Sequence, residues 1–342
     1  MRRTSIILAT CAIACAFVTL AQSGPYKVVK RAKVGGAGGF DYVNADEAGR
    51  RLYVARTGQT PRINVFNLDT LEPVGEIPGV GAHGAVVSPK SNHGFASSKP
   101  ITMFDSKTLA VIKKIDVEGN PDGLLYDSFN DRVYVLSHRA PNATVINASD
   151  GTIAGTIDLG GAPEQGATDG KGHIYIDIED KENIAVVDAK TMTVTAHYDL
   201  AGKGGVCAGL ALDAKNNILF ASCRNPQNMV VLNAADGKII TTLPIGQGTD
   251  GAGFNPKTME AYSSNGDGTL NIIKEKNPTT FEVEQNLETL RSAKTMTIDG
   301  KTGHIYLIAA EFGEPAPPAQ PGGRPGRGQM VPDSLSILEV GK

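Results

Sequence analysis

The chain has 342 residues, 41% of them hydrophobic and 20% charged, with 40 glycines, 19 prolines and no tryptophan. That hydrophobic share excludes a disordered chain, and a net charge of −3 excludes a general electrostatic pull toward nucleic acid. Abundant glycine among many short apolar runs points to an all-β protein rich in turns.

Arg2 and Arg3 precede an uncharged apolar run from Ile6 to Leu20, and Ala21 and Ser23 place small residues before Gly24. Residues 1–23 are therefore expected to be a secretory signal peptide. The run is shorter than the ~20 residues a spanning helix needs. A lipoprotein reading through Cys11 or Cys15 has poor neighbours. Cleavage takes two arginines and no acids, leaving a charge of −5. Residues 24–342 are expected to form one domain, periplasmic or secreted and monomeric, with no transmembrane segment.

The stretch from Tyr26 to Gly36 reads as a strand ending in glycine. After it, one pattern recurs seven times: Leu52-Tyr53-Val54-Ala55, Gly94-Phe95-Ala96-Ser97, Val133-Tyr134-Val135-Leu136, Ile174-Tyr175-Ile176-Asp177, Leu219-Phe220-Ala221-Ser222, Ala261-Tyr262-Ser263-Ser264 and Ile305-Tyr306-Leu307-Ile308. The aromatic residues return at intervals of 39 to 45 residues and use seven of the 19 Phe and Tyr. Each run is preceded by a small-residue strand and a turn. A strand ending in Asn or Asp follows, such as Val65-Phe66-Asn67 or Val186-Val187-Asp188, then a turn and a fourth strand. Four strands, A to D, per repeat of about 42 residues make a seven-bladed β-propeller with four-stranded blades. The seventh unit has A, B and C, and the chain ends without a D strand. Residues 26–34 are expected to supply it by pairing with Leu335 to Glu339, which covers an open sheet edge.

In blade 5, Leu212 is expected opposite Ile218, and the same register sets Cys207 opposite Cys223. Two cysteines remain in an exported chain, and this placement predicts a disulfide between them. Free thiols or soft metal ligands are the alternatives. In blade 7, Glu311 to Asp333 separates strands B and C. Its Pro/Gly density is expected to make it a flexible loop on the mouth face, a plain disordered loop before a lid, with Arg324 and Arg327 giving it positive charge over an acidic mouth.

These repeats resemble the YncE-like family of propellers built on YVTN repeats. Arg51-Leu52-Tyr53-Val54-Ala55, Arg132-Val133-Tyr134-Val135-Leu136 and Ile184-Ala185-Val186-Val187-Asp188 carry the resemblance, which covers nearly all of the mature chain. It implies fold and export. It implies little about activity, because one fold hosts unrelated chemistries.

In propellers generally, the A strands line the channel and the B–C connections share its mouth. Aligning the seven A strands puts Phe40, His83, Asp122, Glu164, Cys207, Asp250 and Lys294 at the mouth. A second column, Asp41, Gly84, Gly123, Gln165, Ala208, Gly251 and Thr295, is mostly small. The B–C connections add Arg56, Lys99, His138, Arg139, Glu179, Asp180 and Arg224. The candidate ligand-binding set is Asp41, His83, Asp122, Glu164, Asp250, Lys294, Arg56, His138 and Arg224. Within it, His83, Asp122 and Glu164 are candidate ligands for a divalent metal. Arg56 and Arg224 suit a carboxylate or phosphate. Solvated polar residues around a channel are the simpler reading of the same column.

Three functions compete. The first is a non-catalytic scaffold that binds a small polar ligand or an exported protein partner at the mouth. The second is an enzyme, a metal-assisted lactonase-like hydrolase or an oxidoreductase component. The third is nucleic-acid binding through Lys27, Lys30, Arg31 and Lys33, which the acidic charge opposes. No catalytic residue is assigned, and the ligand is unknown.

Overall fold

In blades 1, 2 and 4 the Asn or Asp that ends the C strand organises the turn after it. Asn67 Oδ1 accepts the N–H groups of Asp69 and Thr70, Asp105 Oδ1 those of Lys107 and Thr108, and Asp188 Oδ1 those of Lys190 and Thr191. This is the side-chain mimicry of a backbone turn that Asx residues favour. The turn closes in the left-handed region at Leu71, Leu109, Gly151, Met192 and Gly237. Only two of the five are glycine. At Leu71 the strained backbone is held by an N–H bond of 2.8 Å to Asn67 and by burial of the side chain.

These turns join strands into seven four-stranded antiparallel sheets, seen in a computed structural model describing residues 24–140, 142–314 and 328–342. The segment read as a signal peptide lies outside the described residues. So do residues 315–327, with Arg324 and Arg327. The fold is a seven-bladed β-propeller. Its inner strands are Gly39–Asp46, Ala82–Ser88, Pro121–Asp127, Pro163–Thr168, Cys207–Asp213, Thr249–Asn255 and Thr295–Ile298. No helix among the described residues is long and apolar enough to cross a membrane.

The ring closes as the sequence predicts. Lys27–Lys33 pairs antiparallel with Ser336–Gly341, from Lys27 opposite Gly341 to Lys33 opposite Ser336. Seven apolar cores lie between neighbouring blades, one per junction, and the aromatic column Tyr53, Phe95, Tyr134, Tyr175, Phe220, Tyr262 and Tyr306 is buried within them. Each such ring contributes roughly 1.5–3 kcal/mol by burial, so the repeat builds interfaces between blades.

The inner strands share an irregularity invisible in the repeat. The A–B pairing slips by one residue between Phe40 and Val43, Ala82 and Ala85, Pro121 and Leu124, Pro163 and Gly166, Cys207 and Gly209, and Thr249 and Gly251. A bulge adds unpaired residues and re-aims their side chains. The residues released are Asp41 and Tyr42, His83 and Gly84, Asp122 and Gly123, Glu164 and Gln165, Ala208, and Asp250. Blade 1 therefore offers Asp41 at the mouth where the alignment placed Phe40, and in blade 5 the bulge falls on the buried Ala208.

The same slip corrects the blade 5 register. Leu212 lies opposite Leu219, not Ile218, and the bulge at Ala208 then restores Cys207 opposite Cys223. The two form a disulfide, buried against the core between blades 4 and 5.

Candidate functional site

Six inner-strand starts and three B–C connections meet at one end of the channel. Asp41 Oδ2 lies 2.7 Å from His83 Nδ1, and Asp122 Oδ1 lies 3.5 Å from the same nitrogen. On the far side of Asp122, its Oδ2 is 3.6 Å from His138 Nε2, which is 2.8 Å from Glu164 Oε2. The result is an arc of alternating carboxylate and imidazole, Asp41, His83, Asp122, His138 and Glu164, drawn from blades 1 to 4. The side chains of His83 and His138 stay 43% and 36% exposed, so the arc faces solvent.

A second arc completes the rim. Arg224 Nη1 reaches Glu179 Oε1 at 3.2 Å, and Arg224 and Lys294 each pair with one oxygen of the buried Asp250. Arg224 Nε also donates to the Thr249 carbonyl at 2.9 Å. These two cations are engaged with carboxylates of the rim.

Below the rim, two side chains cross the channel. Tyr42 of blade 1 donates its hydroxyl to Glu164 Oε1 of blade 4 at 2.9 Å, and Gln165 Nε2 donates to the Asp250 carbonyl of blade 6 at 3.0 Å. Tyr42 packs over Gly84, where an added Cβ would lie 3.3 Å from its own. A cavity of about 350 Å³ lies in the channel, lined by Tyr42, Gln165, Leu125, Val87 and Met296 among others. Its walls meet the rim at Glu164.

Crowding sets the protonation states. Burial and the neighbouring carboxylates push the Asp122 carboxyl up to about 6, although both histidines oppose this. The hydrogen bond to Glu164 raises His138 to about 9, and the bond to Asp41 raises His83. Burial works to raise Glu164, but hydrogen bonds from His138 and Tyr42 hold it below its ordinary value. Burial raises Glu179 and Asp250 even with their cations present. Perturbed groups gathered in a cleft mark functional sites more often than chance.

The sequence-derived set divides on this geometry. His83, Asp122 and His138 share the first arc with Asp41 and Glu164; Asp250, Lys294 and Arg224 form the second. Arg56 belongs to neither. It is 1% exposed, and its guanidinium donates to the carbonyls of Gly35, Gly36, Ala37 and Gly39 and to Asn64 Oδ1. It holds the loop entering blade 1 and offers nothing to a ligand. The metal trio is also regrouped: ligand atoms gather as Asp41, His83, Asp122 and as Asp122, His138, Glu164, so His83 and Glu164 fall in different sets. Tyr42 was missed, and Gln165 stood in the second column but outside the candidate set. Their signal was present, as two bulky residues where other blades carry glycine.

Of the basic strand residues, Lys30 donates to the Thr70 carbonyl and Arg31 pairs with Glu311 at 3.0 Å, which reduces the charge offered to a polyanion. The blade 7 insertion begins as a short stem. Phe312 bridges Met330, and Val331 N–H donates to the Glu311 carbonyl.

No protein-family model matches the sequence, and no curated protein matches it. Solved structures do. A chain in the crystal structure of the mitotic checkpoint complex is 10% identical, with a TM-score of 0.70 over 90% of this chain and 95% of that one. The RRP9 WD40 repeats are 9% identical, with a TM-score of 0.71 over 94% and 99%. At such identity the likeness shows the propeller fold alone.

Proposed function

We propose that this chain is a non-catalytic binding propeller of an oxidising compartment, periplasmic or extracellular, that takes a small polar ligand at the channel mouth. The observation that carries the reading is the arc of Asp41, His83, Asp122, His138 and Glu164. Four blades deliver five titratable groups to one half-exposed concavity. Holding Asp122 among like charges costs stability, and such a cost is usually kept where a site uses it. The floor made by Tyr42 and Gln165 leaves a shallow bowl, which fits a small ligand better than a threaded chain.

The buried Cys207–Cys223 bridge supports an oxidising location, since disulfides persist there and are rare in reducing cytosol. The YVTN-type repeats add support for export within a YncE-like family. WD40-type propellers often serve as interaction platforms, so an exported protein partner over the same face is part of this reading. The paired Asp/His sets favour one second reading, metal-assisted hydrolysis of a lactone, because a bound ion with open positions lowers the pKa of its water.

Native mass spectrometry on protein isolated from its own compartment tests the proposal. A bound mass that disappears in Asp122→Ala is expected. A bare polypeptide mass, with no ligand from a panel of small zwitterions, amines and cations shifting its melting point, would sink it.

A further inference from the structure

We propose that the mouth is a two-ion site for divalent transition-metal cations, one held by Asp41, His83 and Asp122 and the other by Asp122, His138 and Glu164, with the Asp122 carboxylate bridging them. This rests on the reading of the mouth as a binding site and names what it binds.

Three features of the arc point to ions. First, each histidine aims one nitrogen at two carboxylates from different strands. His83 Nδ1 faces Asp41 Oδ2 at 2.7 Å and Asp122 Oδ1 at 3.5 Å; His138 Nε2 faces Glu164 Oε2 at 2.8 Å and Asp122 Oδ2 at 3.6 Å. A ring N–H lies along one direction and serves one acceptor well. A cation between the three atoms engages all of them together. Second, the ligand atoms within each set lie within 4.8 Å of one another. Metal–ligand bonds of about 2.1 Å in tetrahedral geometry separate ligand atoms by about 3.4 Å, so the observed spacings need only small adjustment. Third, the two oxygens of Asp122 turn to different histidines, the arrangement of a carboxylate shared by two ions.

The charges agree. Once the ions displace the histidine protons, three carboxylates and two neutral imidazoles nearly balance two divalent ions, leaving open positions for water or an anionic ligand. Mixed imidazole and carboxylate donors suit zinc, cobalt or nickel, whereas calcium and magnesium prefer all-oxygen shells. Tyr42 is a positioning residue in this arrangement. Its hydroxyl holds Glu164 Oε1 and leaves Oε2 turned to the ion.

The test uses the folded chain stripped with a chelator, then titrated with zinc by calorimetry and weighed by native mass spectrometry. Two zinc ions per chain are expected. Asp122→Ala should lose both, while His83→Ala and His138→Ala should each keep one. Tyr42→Phe should weaken only the Glu164 side, by about tenfold. Cobalt substitution gives an independent readout, its visible absorption halving in each histidine variant. Far-UV circular dichroism confirms that each variant folds. No zinc bound at micromolar concentration, two ions retained in Asp122→Ala, or one ion in the unaltered chain that either histidine variant loses altogether overturns the two-ion site. If zinc fails to bind but an organic mass from the native source depends on Asp122, the ligand reading survives without the ions. If neither is found, both readings fall.

Discussion

The propeller gathers carboxylates in two places, and it treats them oppositely. At the junction of blades 6 and 7, Glu260 is fully buried, and apart from the neighbouring carboxyl of Glu284 the groups that reach it are donors. The hydroxyls of Tyr26 and Tyr262 and the ammonium of Lys342 all reach it, Lys342 also lies 4.9 Å over the Tyr26 ring, and Gln285 clasps the Tyr26 backbone on both sides. Residues from both ends of the described chain thus meet on one carboxylate. At the mouth, on the opposite face, Asp122 itself meets no hydroxyl, amide or lysine donor among the described residues and lies beside two other acids. One cluster is a lock, with donors matched to acceptors. The other keeps an excess of acceptors, which is what a site awaiting a cation or donor requires.

Four measurements separate the two. The largest effect belongs to the lock: Glu260→Ala strands buried donors and an ammonium, and chemical denaturation should show a loss of about 3–5 kcal/mol. An unchanged midpoint would mean that this cluster contributes nothing to closure. Next, replacing Cys207 and Cys223 by alanine opens a loop of sequence separation 16 and should cost about 2–4 kcal/mol in the same assay, with the mouth's ligand affinity retained.

The pH response should then have opposite signs in the two clusters. Burial acts to raise Glu260, but hydrogen bonds from Lys342 and Tyr26 overcome it and hold the carboxyl well below its ordinary value. Its stabilisation is therefore complete above the unfolded value of about 4.3 and is lost as pH falls below it. Asp122 is raised to about 6 by burial, so the fold prefers its protonated form. That preference is present below the unfolded value of about 3.9 and is lost as pH rises through 6. Melting curves from pH 3 to 8 should show Glu260→Gln flattening the acid limb and Asp122→Asn raising stability above pH 6. Matching shifts in both variants would erase the distinction. The smallest effect is at neutral pH, where Asp122→Asn should change stability by about 1 kcal/mol or less, in the stabilising direction, while abolishing ligand binding. A loss comparable to Glu260→Ala would make the mouth a second lock.

Legibility tracked the same divide. The aromatic column from Tyr53 to Tyr306 was readable because burial at every blade junction demands the same residue type at the same place. The missing D strand was readable by counting. The disulfide was anticipated through a register wrong by one residue, and a bulge at Ala208 made good the error. Arg56 misled because a B–C arginine looks alike whether it meets solvent or six carbonyl and amide oxygens. The lock at Glu260 went unseen, since its partners lie far along the chain at Tyr26 and Lys342.

Sequence alone therefore determined the number of blades, their strand order and the seam at which the ring closes, because hydrophobic burial and turn chemistry act locally and repeat with the chain. Tertiary structure decided which polar groups face one another. One-residue bulges re-aim the inner strands, and only the closed ring brings Asp41, Asp122 and Glu164, spread over three blades, into range of two histidines.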